Sequence, residues 1–114
     1  MKQVPNISDT EADLIGIVLA LNGADEEAYG VPINAELTRI RGGREIVSGA
    51  LYTSLQRLVN KGLLEAESAA GTPERGNRSK RLYKVTGTGI RAFRKWEAER
   101  LRLLDTVRPA WGRS

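Results

Sequence analysis

Ser48-Gly49-Ala50-Leu51-Tyr52-Thr53-Ser54-Leu55-Gln56-Arg57-Leu58-Val59-Asn60-Lys61-Gly62-Leu63-Leu64 is the stretch on which the architecture turns. Ser48 is a suitable N-cap, and Leu51, Leu55, Leu58 and Val59 recur at helical spacing. The spacing therefore predicts a helix to about Lys61, stopped by Gly62. Its buried stripe leaves Ser48, Gly49, Tyr52, Thr53, Gln56, Arg57 and Asn60 on the other sides. No acid occurs between Ser48 and Asn60.

Downstream, Leu63–Ser68 and Lys80–Thr86 have the alternation of two strands. The segment between them, Ala69–Ser79, is rich in Gly, polar and basic residues, so the expected element is a β-hairpin with a long tip. Thr86 is placed to cap a further helix. Ile90, Phe93, Glu97, Leu101 and Leu104 form one stripe on it, and Trp96, Leu103 and Val107 a neighbouring one. Pro109, which cannot continue a helical hydrogen-bond ladder, is the expected end.

Upstream, Ser8-Asp9-Thr10-Glu11 is a capping box in which the Ser8 side chain accepts from the Glu11 amide and the Glu11 side chain returns the bond. Ala12, Ile15, Val18 and Leu19, with Leu14 and Leu21, follow at helical spacing toward Gly23, which predicts a first helix over about 9–22. A second, short amphipathic helix is expected to open with Pro32 in its first position and to carry Ile33, Leu37 and Ile40. It ends at Arg41-Gly42-Gly43, where glycine tolerates the positive φ of a helix exit.

The chain has 114 residues, 40% hydrophobic and 28% charged, with few aromatics, enough for one core built mainly from aliphatic side chains. It contains neither Cys nor His. That removes most zinc sites, disulfides, thiol nucleophiles and imidazole bases, so neither a metal centre nor a catalytic constellation is expected; only carboxylate catalysis is left open. No signal core or run of about 20 apolar residues is present, so the expected protein is cytoplasmic and without membrane contact. Net charge is +4, unevenly spread: residues 9–27 hold six acids and no base, whereas residues 72–84 hold five bases and one acid.

Three helices, a basic hairpin and one more helix make the order of a winged helix-turn-helix, mainly α with a small β-hairpin. The expected layout is a single domain over 1–114, with a DNA-binding core at about 9–86 and a C-terminal dimerisation helix at about 87–107. In such a fold the third helix enters the major groove of double-stranded DNA. Ser48, Gly49, Tyr52, Thr53, Gln56 and Arg57 are its candidate reading residues, the short hydroxyl and amide groups for base edges, Tyr52 and Arg57 for phosphate or guanine. Arg75, Arg78 and Lys80 on the hairpin are candidates for phosphate contact. Arg39, Arg41 and Arg44 beside the turn serve either phosphate contact or solubility.

The residues also carry a resemblance. Gly49-Ala50-Leu51-Tyr52-Thr53-Ser54-Leu55-Gln56-Arg57-Leu58, Lys61-Gly62-Leu63-Leu64, and Arg81-Leu82-Tyr83-Lys84-Val85-Thr86 with Gly89 look like the PadR-type regulators. Tyr29-Gly30-Val31-Pro32-Ile33 resembles a variant with which that family opens its second helix. The similarity covers about residues 9–104. It implies a dimeric winged-helix transcriptional regulator, mostly a repressor, and in some members a response to small aromatic or drug-like molecules. A single helix after the hairpin resembles the short branch of the family, and the acidic stretch before Tyr29 is longer than in many relatives.

The last helix spreads its apolar side chains over more than one face, which a monomer of this size does not need. Ile90, Phe93, Trp96, Glu97, Leu101, Leu103 and Leu104 are the expected homodimer interface. A two-fold dimer sets two recognition helices about one DNA turn, roughly 34 Å, apart and predicts a near-palindromic operator. Trp96 is also a candidate to stack on a small aromatic effector between subunits, and no cofactor is expected. Two competing functions remain at this stage: a winged-helix protein-interaction module without sequence-specific DNA binding, and a carboxylate-dependent enzyme.

Overall fold

The first helix is apolar on more than one side, and its environment explains why. In the computed structural model, which describes residues 3–43, 48–71, 73–76 and 79–112, α1 (Asp9–Gly23) buries Ala12, Leu14, Ile15, Ile17, Val18 and Leu21. It packs against α2 (Gly30–Ile40), α3 (Ser48–Asn60), β2 (Lys80–Val85) and α4 (Gly87–Trp111). A helix enclosed by four elements cannot keep a wide polar face. Its start follows the expected capping box, with Glu11 N–H donating to Ser8 Oγ at 3.1 Å and Ser8 N–H to Glu11 Oε1 at 2.9 Å.

α2 opens two residues earlier than Pro32. Tyr29 takes the extended cap conformation, and the Ile33 N–H donates to its carbonyl at 3.1 Å. Pro32 falls among the first helical residues, whose N–H groups have no intrahelical acceptor, so its missing donor costs nothing there. Ile33 and Leu37 are buried, but Ile40, expected on the same stripe, is 51% exposed.

α3 buries Leu51, Leu55 and Leu58, with Val59 partly covered. The helix includes Ser48 rather than starting after it. It ends in a Schellman motif: Leu63 N–H reaches the Leu58 carbonyl at 2.9 Å and Gly62 N–H the Val59 carbonyl at 3.0 Å, with Gly62 at φ 76°. That exit turns the chain into β1 (Leu64–Ala69), which pairs antiparallel with β2 from Leu64 opposite Val85 to Ala69 opposite Lys80.

The outer edge of β2 is held by α1 and the loop after it. Tyr83 N–H donates to the Ala28 carbonyl at 2.8 Å, Asn22 Nδ2 donates to the Tyr83 carbonyl at 3.2 Å, and Val85 N–H donates to Asn22 Oδ1 at 3.2 Å. One side-chain amide thus stands in for a strand residue, satisfying a donor and an acceptor that a two-stranded sheet leaves unpaired.

α4 starts where expected. Gly89 N–H donates to Thr86 Oγ1 at 3.0 Å, and the same hydroxyl donates to the Gly62 carbonyl at 2.7 Å, stitching the helix to the exit of α3. A Cβ at Gly89 would lie 2.2 Å from the Leu63 carbonyl oxygen, so only glycine permits this approach. The expected stop at Pro109 is corrected: the helix continues to Trp111, and Gly112 N–H bonds the Arg108 carbonyl at 3.0 Å. Proline removes only its own N–H, and the Asp105 carbonyl it would have served lies in an exposed turn open to water.

The N-terminal part of α4 buries Gly89 and Ala92 against the core, while its C-terminal half extends away from it. The radius of gyration, 16.3 Å, exceeds the ~13 Å of a compact chain of this length. Among the described residues no helix is long and apolar enough to cross a membrane.

Candidate nucleic-acid interface

The outward side of α3 is set by its buried one. With Leu51, Leu55 and Leu58 inward, the line opposite runs through Gly49, Thr53, Gln56 and Asn60, while Arg57 and Tyr52 flank it. Gly49, Tyr52, Thr53, Arg57 and Asn60 are exposed and Gln56 is half-buried. Ser48 is the first residue of the helix, but its side chain lies outside the described residues, as does that of Arg75; Arg44 and Arg78 lie outside them altogether.

Several of these groups are already engaged with one another. Thr53 Oγ1 donates to the Gly49 carbonyl at 2.9 Å, so its proton is committed within the helix and its methyl and lone pairs face outward. Gln56 Nε2 donates to Asn60 Oδ1 at 2.9 Å. Tyr52 lies over the start of α2, where a Cβ on Gly30 would come within 2.2 Å of its hydroxyl oxygen. The glycine in the Tyr29-Gly30-Val31-Pro32 sequence is thereby explained as the seat of the Tyr52 ring.

A groove of about 530 Å³ separates α3 from the hairpin, lined by Tyr52, Thr53, Gln56, Arg57, Asn60, Arg81 and Tyr83. Tyr83 is buried, and that burial pushes its phenol above the usual pKa of 10.0, so it stays neutral. Arg81 lies 6.0 Å from the Tyr83 ring centroid with its side chain exposed. Because strand side chains alternate, Arg81 shares the face of Tyr83 and Val85, whereas Lys80, Leu82 and Lys84 share the other. Arg81 was absent from the candidates read from sequence; the period-2 pattern anchored on the apolar Tyr83 and Val85 was the signal that could have found it.

Lys80, a candidate for phosphate contact, is already engaged within the chain. It begins β2, its ammonium pairs with Glu27, and it lies 4.7 Å from the Tyr29 ring centroid, leaving its side chain 11% exposed. Glu27, in the acidic stretch after α1, thus holds the tip end of the hairpin ladder, where Lys80 faces Ala69. Arg39 pairs with Glu36 one helical turn away, which holds the Glu36 carboxyl below its usual range. Arg41 reaches Asp13 at 3.5 Å.

The expected dimer residues occupy two environments. Ile90 and Phe93 pack on the core, with the Phe93 ring 3.0 Å from where a Gly16 Cβ would be. Trp96 donates its indole N–H to Asp9 Oδ1 at 2.9 Å and carries the Arg100 guanidinium 5.4 Å from its centroid. Glu97 is exposed. Leu101, Leu103 and Leu104 are 48%, 53% and 38% exposed, and Trp111 is 62% exposed. Beside them α1, α2 and α4 enclose an apolar groove of about 380 Å³, floored by Ala12, Gly16, Ile17 and Ala20 and edged by Asp13, Glu26, Glu36, Phe93 and Trp96.

Comparison with known proteins agrees with this layout. The family described as "Transcriptional regulator PadR-like family" matches residues 18–95, more than half of the chain. A PadR-like transcription factor from Bacteroides fragilis is 29% identical and superposes with a TM-score of 0.70, covering 89% of this chain and 88% of that one. A PadR-family regulator from Eggerthella lenta is 30% identical, with a TM-score of 0.61 over 83% of this chain and 80% of the other. Bacillus subtilis PadR in complex with operator DNA shares the fold at 16% identity and a TM-score of 0.62, over 78% of this chain and 47% of that one. No curated protein matches the chain. By its matched sequence and its winged-helix architecture, the chain belongs to the PadR-like family of transcriptional regulators.

Proposed function

We propose that this regulator, which is not an enzyme, represses transcription as a homodimer on a near-palindromic operator, with α3 in the major groove and the hairpin along the phosphate backbone. The observation that carries this is the acid-free outward face of α3, bordered across one groove by Arg57 and Arg81. Exposed cations at the rim attract phosphate, while the amide and methyl groups between them suit base edges. The solved complex of Bacillus subtilis PadR with operator DNA supports the same use of the shared fold. Repression, rather than activation, is the direction the family resemblance favours.

The exposed apolar half of α4 supports the homodimer. Leu101, Leu103 and Leu104 would be covered by a second copy, which removes a contiguous apolar surface from water. The groove beside Trp96 is assigned here to the partner chain rather than to a small aromatic effector. Ser48, Arg75, Arg78 and Lys80 keep their proposed DNA contacts, Lys80 by exchanging Glu27 for phosphate.

Selection of bound duplexes from a randomised library, across a salt series, tests the proposal. The expected result is an enriched two-fold symmetric site, half-sites about 34 Å apart and affinity falling steeply with salt. No enriched site, or affinity indifferent to salt, would overturn it in favour of a protein-interaction module.

A further inference from the structure

Gln56 and Asn60 stand one helical turn apart on the outermost line of α3, and their side-chain amides are joined by the 2.9 Å hydrogen bond from Gln56 Nε2 to Asn60 Oδ1. A glutamine in the major groove discriminates adenine by presenting its carbonyl oxygen to the N6 amino group and one N–H to N7. The long Gln side chain has three rotatable bonds, and either amide face can turn outward when nothing holds it. The Asn60 oxygen accepts one of the two Gln56 N–H groups. The other N–H and the carbonyl oxygen remain for a ligand, which is the pair adenine requires. Thr53, the next residue along the line, cannot compete for this role as a donor, because its hydroxyl proton is held by the Gly49 carbonyl.

From this geometry we infer that Asn60 is a positioning residue for base readout: it fixes the Gln56 amide in the orientation that selects adenine over the other bases. The inference rests on the DNA-binding function proposed above and adds to it a determinant of specificity. Asn60 touches the base only through Gln56. Its proper substitutions are therefore informative: Asn60→Ala removes the acceptor, whereas Asn60→Asp keeps an oxygen in place for Gln56 and adds a negative charge near phosphate.

The experiment measures binding of the parent, Gln56→Ala, Asn60→Ala and Asn60→Asp proteins to the selected operator, to its three single-base variants at the adenine position, and to a non-specific duplex. A bidentate amide contact discriminates by roughly 5- to 150-fold, and Gln56→Ala is expected to abolish that preference. Asn60→Ala should reduce it to about 3-fold or less, while changing non-specific affinity less than about 2-fold. Asn60→Asp should restore the preference for adenine but weaken binding to every duplex. Unchanged discrimination in Asn60→Ala, an equal loss on all duplexes, or no recovery in Asn60→Asp would overturn the inference. If the parent itself selects no site, the proposed function fails first; if the parent selects a site in which Gln56→Ala leaves every base preference unchanged, only the readout inference fails. Circular-dichroism melts of each variant, expected within about 2 °C of the parent for those at exposed Asn60, separate a lost fold from lost readout.

Discussion

Gly89→Ala tests the placement of the last helix most directly. The added methyl carbon would stand 2.2 Å from the Leu63 carbonyl oxygen and 2.8 Å from Val85 Cγ1. Ordinary contact lies near 3.5 Å, so α4 must retreat by about 1 Å from the α3–β1 junction. The retreat strains the bond from Gly89 N–H to Thr86 Oγ1 and the bond from that hydroxyl to the Gly62 carbonyl. Overpacking costs about 1–3 kcal/mol and a weakened cap about 1 kcal/mol, offset by about 1 kcal/mol from replacing glycine in a helix. The net loss is about 1–3 kcal/mol, or roughly 4–12 °C in melting temperature for a domain of this size. Gly87→Ala is the control: it lies in the same first turn, and its Cβ would meet only Arg91 Nη1, at 3.5 Å. That variant should melt at or slightly above the parent, gaining up to about 1 kcal/mol. Thermal melts followed by circular dichroism at one fixed protein concentration make the comparison, since an associating chain melts concentration-dependently. A Gly89→Ala protein that melts as high as Gly87→Ala would refute the close approach.

Asn22→Ala should cost about 1–3 kcal/mol, because it strips partners from the Tyr83 carbonyl and the Val85 N–H, and amide exchange should quicken at Val85; unchanged protection there would contradict the clamp. Arg81→Ala should weaken binding to all duplexes alike and lower the slope of log affinity against log salt by about 1, as read from a salt titration. Leu101→Asp with Leu104→Asp should shift sedimentation from dimer to monomer while leaving the helical circular-dichroism signal of the core; a dimer of parental affinity would remove α4 from the interface. Asp9 is held below the ordinary carboxyl value of 3.8 by the Trp96 indole hydrogen bond and then by Arg100. A depressed folded-state pKa adds stability above the unfolded value and loses it as pH falls through the folded one, so Asp9→Asn should destabilise at about pH 7 more than at about pH 3. Urea unfolding at both pH values checks this, and a pH-independent difference would count against the pair.

The features legible in the sequence were those whose physics is local. The Ser8–Glu11 box, the Thr86 cap and the Gly62 exit each satisfy backbone groups within a few residues, so spacing alone reveals them. The leucine stripe of α3 announced its buried face and, by subtraction, its outward one. What escaped depended on partners far along the chain. Asn22 reads as a polar residue near a helix end until β2, about 60 positions later, is brought beside it. Lys80 reads as one more hairpin cation until Glu27 and Tyr29 arrive from the other side. Ile40 continues the periodicity of Ile33 and Leu37, yet α2 packs only its first turns deeply, and Ile40 ends at the rim of the α1–α2–α4 groove. Arg81 and Arg75 look alike as letters, and only the pleat anchored by Tyr83 assigns Arg81 to the groove beside α3.

α1 carries a consequence of its own. Near its first turn Asp9 is tied to Arg100 and Trp96 of the projecting helix, and near its last turn Asn22 is tied to the hairpin. Thirteen residues separate the two ties, a rigid span of about 20 Å at 1.5 Å per residue. The helix is therefore a gauge: its length sets how far the arm stands from the wing, and its pitch sets the angle between them. Inserting a single residue would lengthen the gauge by only about 1.5 Å but rotate one tie against the other by about 100°.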